Sequence, residues 1–177
     1  MSEFERLDAE TVYTGRIVDV RLERFRFGDG EVVTREVVRS SGAVGVLAHD
    51  DEQLWLVRQP REAVGRSDLL EIPAGRLDVE GEQPLEAARR ELAEEIGLGA
   101  GVWEPMLSYY SSAGFTDERV HLFHATALFA HSAESGENER IEVVRWPLAE
   151  LEAAIAARED AKTLIALLWL RDRLRPQ

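Results

Sequence analysis

Between Glu71 and Glu95 the chain carries eight carboxylates: Glu71, Asp78, Glu80, Glu82, Glu86, Glu91, Glu94 and Glu95. Only Arg76, Arg89 and Arg90 oppose them. Singly, each acid reads as solvated surface, and Glu86 with Arg90 makes an i,i+4 pair in the favourable order. The spacing of Glu91, Glu94 and Glu95 does not fit that reading. At 3.6 residues per turn, positions 91 and 95 fall about 40° apart on one side of a helix, with position 94 beside them. Like charges placed this way repel and weaken an isolated helix. A cation among them resolves the conflict. Oxygen-only ligands select a hard ion, Mg2+ or Mn2+, over zinc or copper. Mg2+ takes one or two carboxylates, keeps waters and shares phosphate oxygens, so metal-assisted phosphate chemistry is within reach of this stretch.

A helix must present that face. Pro84 is a good first-turn residue, Leu85, Ala88, Leu92 and Ile96 form an apolar stripe, and Gly97 is placed to stop the helix. Upstream the pattern is that of strands. Val18, Val20 and Leu22 alternate with polar residues, and Phe25 and Phe27 resume after a one-residue slip that predicts a bulge. Gly28-Asp29-Gly30 predicts a hairpin turn into a return strand, Val32–Val38. Strands are predicted near Ala43–Ala48, Leu54–Val57 and Leu69–Ile72, the first two joined by the turn His49–Gln53. After the helix come strands near Met106–Tyr110 and Val120–Leu128, an acidic loop, Ser132–Arg140, and a strand, Ile141–Trp146. Pro147 opens a helix through Leu148, Leu151 and Ile155. A last helix spans Ala161–Leu174 with Asp160 as N-cap. The order predicts a layered α/β domain with a mixed sheet.

Composition sets bounds on function. The chain has 177 residues, 45% of them hydrophobic and 31% charged, which is globular rather than disordered. There is no cysteine, so disulfides, thiolate metal sites and cysteine nucleophiles are excluded. The net charge of −13 repels phosphate backbones and argues against nucleic-acid binding, whereas a small phosphorylated ligand can be bridged by a divalent cation. Lys162 is the sole lysine, and no function is read from that fact. The polar, acidic Met1–Asp8 is unlike a secretory signal, and the longest apolar run, near Leu164–Leu170, is too short to span a membrane. A cytoplasmic protein without membrane partners is expected. His121 and His124, three apart on a strand, face opposite sides and make a poor metal pair. No glycine-rich phosphate loop or serine nucleophile elbow is present.

Gly75, Glu82 and the run Arg90-Glu91-Leu92-Ala93-Glu94-Glu95-Ile96-Gly97-Leu98 together resemble the signature box of the Nudix hydrolase family. The family pattern is Gly, five residues, Glu, seven residues, Arg-Glu-aliphatic-X-Glu-Glu-X-Gly-aliphatic. Here six residues separate Gly75 from Glu82, and the extra one falls in the loop Arg76–Gly81, ahead of the acidic helix. The resemblance implies an α/β Nudix fold: a mixed β-sheet sandwiched between α-helices, with an N-terminal antiparallel β-hairpin. It implies Mg2+ or Mn2+ as cofactor, held by Glu91, Glu95 and the carbonyl of Ala74. Glu94 is a further ligand or holds a water. Glu82 and Arg90 orient these groups as a supporting pair, with Gly75 beside them.

The resemblance extends over most of the chain. Glu71-Ile72-Pro73-Ala74-Gly75, Arg58-Gln59-Pro60-Arg61 and Gly114-Phe115-Thr116-Asp117-Glu118 are similar to the ADP-ribose pyrophosphatase branch. That branch usually has Ser-Pro-Gly where this chain has Ser112-Ala113-Gly114. In the branch the general base is a glutamate on an acidic loop after the box, here holding Glu134, Glu137, Glu139 and Glu142. The similarity implies Glu137 as base and Glu139 as an added metal ligand. Against it stands the plain reading of a surface loop, and Glu142 stays open as base. Arg58 and Arg61 are implied phosphate or ribose contacts, and Arg35, Gly114 and Glu118 implied parts of the substrate site. Branch members are dimers that exchange N-terminal strands, with adenine bound across both subunits. Residues 1–40 are thus expected to be a strand region for dimerisation and 41–177 the Nudix domain. Phe25 and Phe27 are candidates for adenine stacking or for core.

The implied reaction is metal-dependent hydrolysis of the pyrophosphate bond of a nucleoside diphosphate derivative, foremost ADP-ribose to AMP and ribose 5-phosphate. The alternatives are a nucleotide sugar or dinucleotide such as GDP-mannose, NADH or FAD, an oxidised nucleotide, or a silent Nudix-like ligand sensor. Sensors typically lose glutamates from the box, and this chain keeps them all.

Overall fold

The computed structural model describes residues 3–131 and 140–175. The chain divides into two compact units, Met1–Gly42 with Tyr109–Arg119, and Ala43–Ser108 with Val120–Gln177.

The first unit is built on a three-stranded antiparallel sheet, β1 (Phe4–Thr14), β2 (Asp19–Phe27) and β3 (Val32–Arg39), in that order. The strand β1 is new relative to the sequence reading. Its residues are polar on both sides and almost all exposed, so no period-2 pattern marks it. The slip expected at Phe25 has another cause. β2 pairs with β3 without interruption from Asp19↔Arg39 to Arg26↔Val32, and the register shifts lie in β1 at Arg6/Asp8 and Thr11/Tyr13. Alternation breaks because Glu23, fully buried, shares a face with Phe25 and Phe27. Arg39 meets one oxygen of Glu23, donating to Oε1 from Nη2 and Nε at 2.6 and 3.0 Å, and donates from Nη1 to Asp117 at 2.8 Å. Among the described residues Oε2 has only Arg6 Nη1 near it, at 3.7 Å. The Glu23 hydrogen bond, with that of Asp117, pushes the Arg39 pKa up.

The second unit holds a seven-stranded mixed sheet. Its spine is β10 (Glu142–Pro147), β5 (Gln53–Arg61), β4 (Ala43–His49), β9 (Arg119–Ala130) and β8 (Leu98–Tyr110). β6 (Arg66–Glu71) pairs with β5, and β7 (Ala74–Arg76) with β4. β4 runs parallel to β9 and antiparallel to β5 and β7. The helices α1 (Pro84–Ile96), α2 (Leu151–Ala156) and α3 (Ala161–Leu174) complete the layers. Val44, Val46 and Ala48 of β4 pack with Ala87, Ala88, Leu92 and Ile96 of α1 in one core. α3 also packs on β4, burying Ala166, Leu167 and Leu170. The sheet sandwiched between helices is the fold the sequence implied.

β5 runs on past Val57 to Arg61 and β6 starts earlier, at Arg66, and two further boundaries differ. β8 begins directly after the α1 stop at Leu98, not near Met106, because Gly99 and Gly101 dilute the strand signal. At Gly99 a Cβ would sit 2.6 Å from the tip of the exposed Phe129 ring, which would have to shift. After Pro147 the chain makes a single 3-10 turn, Leu148–Glu150, before α2 starts. No helix among the described residues is long and apolar enough to cross a membrane.

Leu92 is wholly buried under β4. Leu92→Ala is expected to lower unfolding stability by about 2–5 kcal/mol in urea titrations. An unchanged midpoint would contradict this packing.

Candidate active site

The acidic face is assembled from α1 and the chain that enters it. Gln83 and Glu86 form a capping box at the start of α1, with the Gln83 N–H donating to Glu86 at 3.0 Å. Glu86 therefore serves the helix end, and Arg90 turns instead to three other acids. Its Nε and Nη2 each donate to Glu82 at 2.9 Å. Its Nη1 donates to Glu91 at 2.6 Å and to Glu94 at 3.1 Å. The Glu82 hydrogen bonds are the largest cause of a strong upward shift in the Arg90 pKa, and Arg90 in turn holds Glu82 below the usual carboxylate value of 4.5.

β7 supplies the other wall. The Ala74 N–H donates to Glu95 at 2.9 Å and fixes that carboxylate. Gly75 lies directly under Glu91. A Cβ there would fall 1.9 Å from the Glu91 carboxyl carbon, which explains glycine at this position by close approach and not by backbone strain. Glu91 and Glu95 are both 8% exposed. Val46 donates to the Pro73 carbonyl at 2.8 Å, tying the segment before Ala74 to β4.

Glu82, Arg90, Glu91, Glu94, Glu95, Ala74 and Gly75 are thus brought to one place. The donor set is carboxylate oxygen, and Arg90 offsets only part of the charge of the three glutamates it touches. Such a set fits a hard divalent cation. Among the described residues no group of three or more His, Asp or Glu side chains is placed to hold a metal ion by itself. Mg2+ commonly takes one or two carboxylates and fills its other positions with water and phosphate oxygens.

Beside this face stands a second polar cluster that the sequence reading did not single out as a unit. Glu71, at the end of β6, is 1% exposed and accepts from Arg61 Nε at 2.5 Å and Nη2 at 2.9 Å. It also accepts from Lys162 Nζ. The buried Glu71 pushes the Arg61 pKa up, and Glu95 adds to the same effect at longer range. No periodic signal connects residues 61, 71 and 162; the lone lysine was the available hint.

Arg58 goes elsewhere. A register shift between Gln59 and Arg61 separates the two arginines along β5. Arg58 pairs with Glu142 at 3.7 Å and lines a cavity of about 350 Å3 with Arg66, Trp146 and Arg158. Arg35 and Gly114 lie in the first unit, lining a cavity of about 300 Å3 with Phe4, Phe25, Phe27 and Phe115. Phe4 packs edge-on against Phe25 and Phe27, with centroids 5.6 and 6.2 Å away. Glu118 closes the nearby turn, its carbonyl accepting from Ser111 at 3.0 Å. Glu137 and Glu139 lie outside the described residues. His121 bonds Ser108 and His124 bonds His49, at 2.9 and 2.8 Å, so the two histidines have separate partners.

The chain as a whole is similar to several known proteins. A family model described as the NUDIX domain matches residues 39–168. An ADP-ribose pyrophosphatase of Mycobacterium tuberculosis is 40% identical over 165 residues, 92% of this chain and 79% of that protein. An ADP-ribose pyrophosphatase of Bacillus subtilis is 36% identical over 174 residues, 96% of this chain and 93% of that protein. A crystal structure of an ADP compounds hydrolase superposes with a TM-score of 0.86 at 28% identity, covering 97% of this chain and 94% of its own.

Two expectations follow from the geometry. Gly75→Ala displaces the Glu91 carboxylate, so Mn2+ affinity measured by calorimetry should fall about 10–100-fold with the circular dichroism spectrum retained. Unchanged affinity would contradict the assignment. Because the folded-state pKa of Glu82 is lowered, its contribution to stability is complete above its ordinary value of 4.5 and is lost as pH falls through the lowered value. Glu82→Gln should flatten that acid limb of stability, and an identical limb in the variant would refute the Arg90 pairing.

Proposed function

The chain belongs to the Nudix family, and from that premise we propose that it hydrolyses the pyrophosphate bond of ADP-ribose to AMP and ribose 5-phosphate. The observation that carries the reading is the complete set of box carboxylates gathered around Arg90 and β7. The ADP-ribose pyrophosphatases that match nearly the whole chain point to the substrate. A cytoplasmic nucleotide pool is where such a substrate is met.

Glu91, Glu95 and the Ala74 carbonyl would hold Mg2+ or Mn2+, with Glu139 as a further ligand. The bound cation supplies charge neutralisation for the diphosphate and a lowered pKa for the attacking water. The remaining work belongs to the chain. Arg90 keeps Glu91 and Glu94 from splaying apart. Arg61 binds phosphate oxygens, whereas Arg58, paired with Glu142 in a separate cavity, is left out of this group. Glu94 orients the water, and Glu137 accepts its proton. Water attacks one phosphorus in line, the bond to the bridging oxygen breaks, and the charge gathering on the leaving phosphate is met by Arg61.

By the same resemblance, adenine is bound at a site that two subunits build together, to which the first unit contributes. The aromatic cavity of about 300 Å3 is of a size for a base, with Phe25 and Phe27 available for stacking and Arg35 and Gly114 in its lining; Glu118 is not part of that lining. β1 presents Phe4, Val12 and Tyr13 at 64, 51 and 59% exposure on an edge strand of eleven residues. Exposed edges of this length are normally covered, which supports pairing of residues 1–40 with a second copy by strand exchange. Residues 41–177 carry the hydrolytic chemistry.

ADP-ribose, NADH, GDP-mannose and 8-oxo-dGTP incubated separately with enzyme and Mg2+ should give the fastest turnover with ADP-ribose, with AMP and ribose 5-phosphate identified by chromatography. A higher kcat/KM for any other member overturns the substrate. Loss of a group that supports a metal ligand typically costs 10–100-fold, so Glu95→Gln should cost about a hundredfold or more in kcat with folding intact. Near-normal turnover in that variant overturns the metal assignment.

A further inference from the structure

We propose that Lys162 is a positioning residue that keeps the Arg61 guanidinium electrostatically available to the diphosphate; this rests on the function proposed above. Lys162 is the second residue of α3, where a cation opposes the helix dipole, so the helix gains nothing from it there. Its side chain is 16% exposed, and its ammonium reaches two acids, Glu71 and Asp160, the latter at 3.0 Å. Asp160 caps α3 by accepting from the Thr163 N–H at 2.9 Å, and Thr163 Oγ1 in turn accepts from the Ile72 N–H at 2.9 Å. The head of α3 is thereby joined to the chain that runs through Pro73 to Ala74.

The charge count gives Lys162 its role. Arg61 and Lys162 face Glu71 and Asp160, two cations against two anions. Arg61 spends Nε and Nη2 on Glu71, and its Nη1 makes no hydrogen bond among the described residues. Its side chain is 40% exposed while Glu71 is 1% exposed. Take away Lys162, and one guanidinium is left to balance two carboxylates, with Glu95 adding a third at longer range. The arginine that must attract phosphate then sits in a net anionic setting. Lys162 touches no reacting atom, so its loss should appear in substrate binding and not in the chemical step.

The chain has no cysteine, which permits a clean test. Lys162→Cys creates a single thiol, and alkylation with 2-bromoethylamine restores an ammonium on a chain of nearly the same length. Two measurements are made in Mg2+: steady-state hydrolysis of ADP-ribose, and binding of inorganic pyrophosphate by calorimetry. Hydrogen bonds to charged groups set the scale, so Lys162→Cys should raise KM and the pyrophosphate Kd about tenfold, with kcat within about threefold of wild type. Aminoethylation should reverse both changes. In an Arg61→Gln background the Lys162→Cys effect should vanish, since it acts through Arg61. Unchanged KM and Kd, failure of aminoethylation to restore them, or simple additivity with Arg61→Gln overturns the proposal. If wild type does not turn over ADP-ribose, the proposed function falls, and the pyrophosphate titrations still decide the role of Lys162.

Discussion

Everything in the second unit is arranged around one electrostatic problem: glutamates that repel one another are held on one buried helix face. A single guanidinium cannot neutralise them, yet Arg90 binds Glu82 in fork geometry and reaches Glu91 and Glu94 with its remaining nitrogen. Removing carboxylates from water is costly unless they are paired and hydrogen-bonded. The arrangement spreads that cost. Glu95 takes a backbone N–H from Ala74, and Glu91 lies on the bare backbone of Gly75. The residual negative charge is what a hard cation answers.

The fold delivers these groups with few moving parts. The capping box fixes the rotation at which α1 begins, the glycine at 97 ends it, and Leu92 and Ala88 press the adjoining side onto β4. β7 is only three residues long, but its pairing with β4 sets Ala74 and Gly75 against the acidic face. In the neighbouring Glu71 cluster, by contrast, the buried carboxylate is answered by the chain's own cations. It links β5, β6 and the head of α3 at the point where the chain enters β7.

Much of this could be read from residue order, because the box is local. Seven site residues fall within 22 positions, Ala74 to Glu95, and helical period places the acids on one side. α1 and α3 were legible through their caps, Pro84 and Gly97, and Asp160. What escaped depends on pairing across distance. Glu23 broke the alternation of β2 because a carboxylate can occupy a core position only when a remote arginine, here Arg39, meets it. β1 carries no buried face and so no periodic signal. The Arg61–Glu71–Lys162 cluster joins residues up to 101 positions apart, and Arg58 and Arg61, close in the chain, part company at a strand irregularity.

The central claim is that the gathered carboxylates are a seat for a hard cation. Anomalous diffraction from crystals soaked in Mn2+ tests it most directly. The account predicts a peak within coordinating distance of Glu91 and Glu95 on the β7 side of α1. Crystals that take up manganese elsewhere and leave that place without a peak would contradict it.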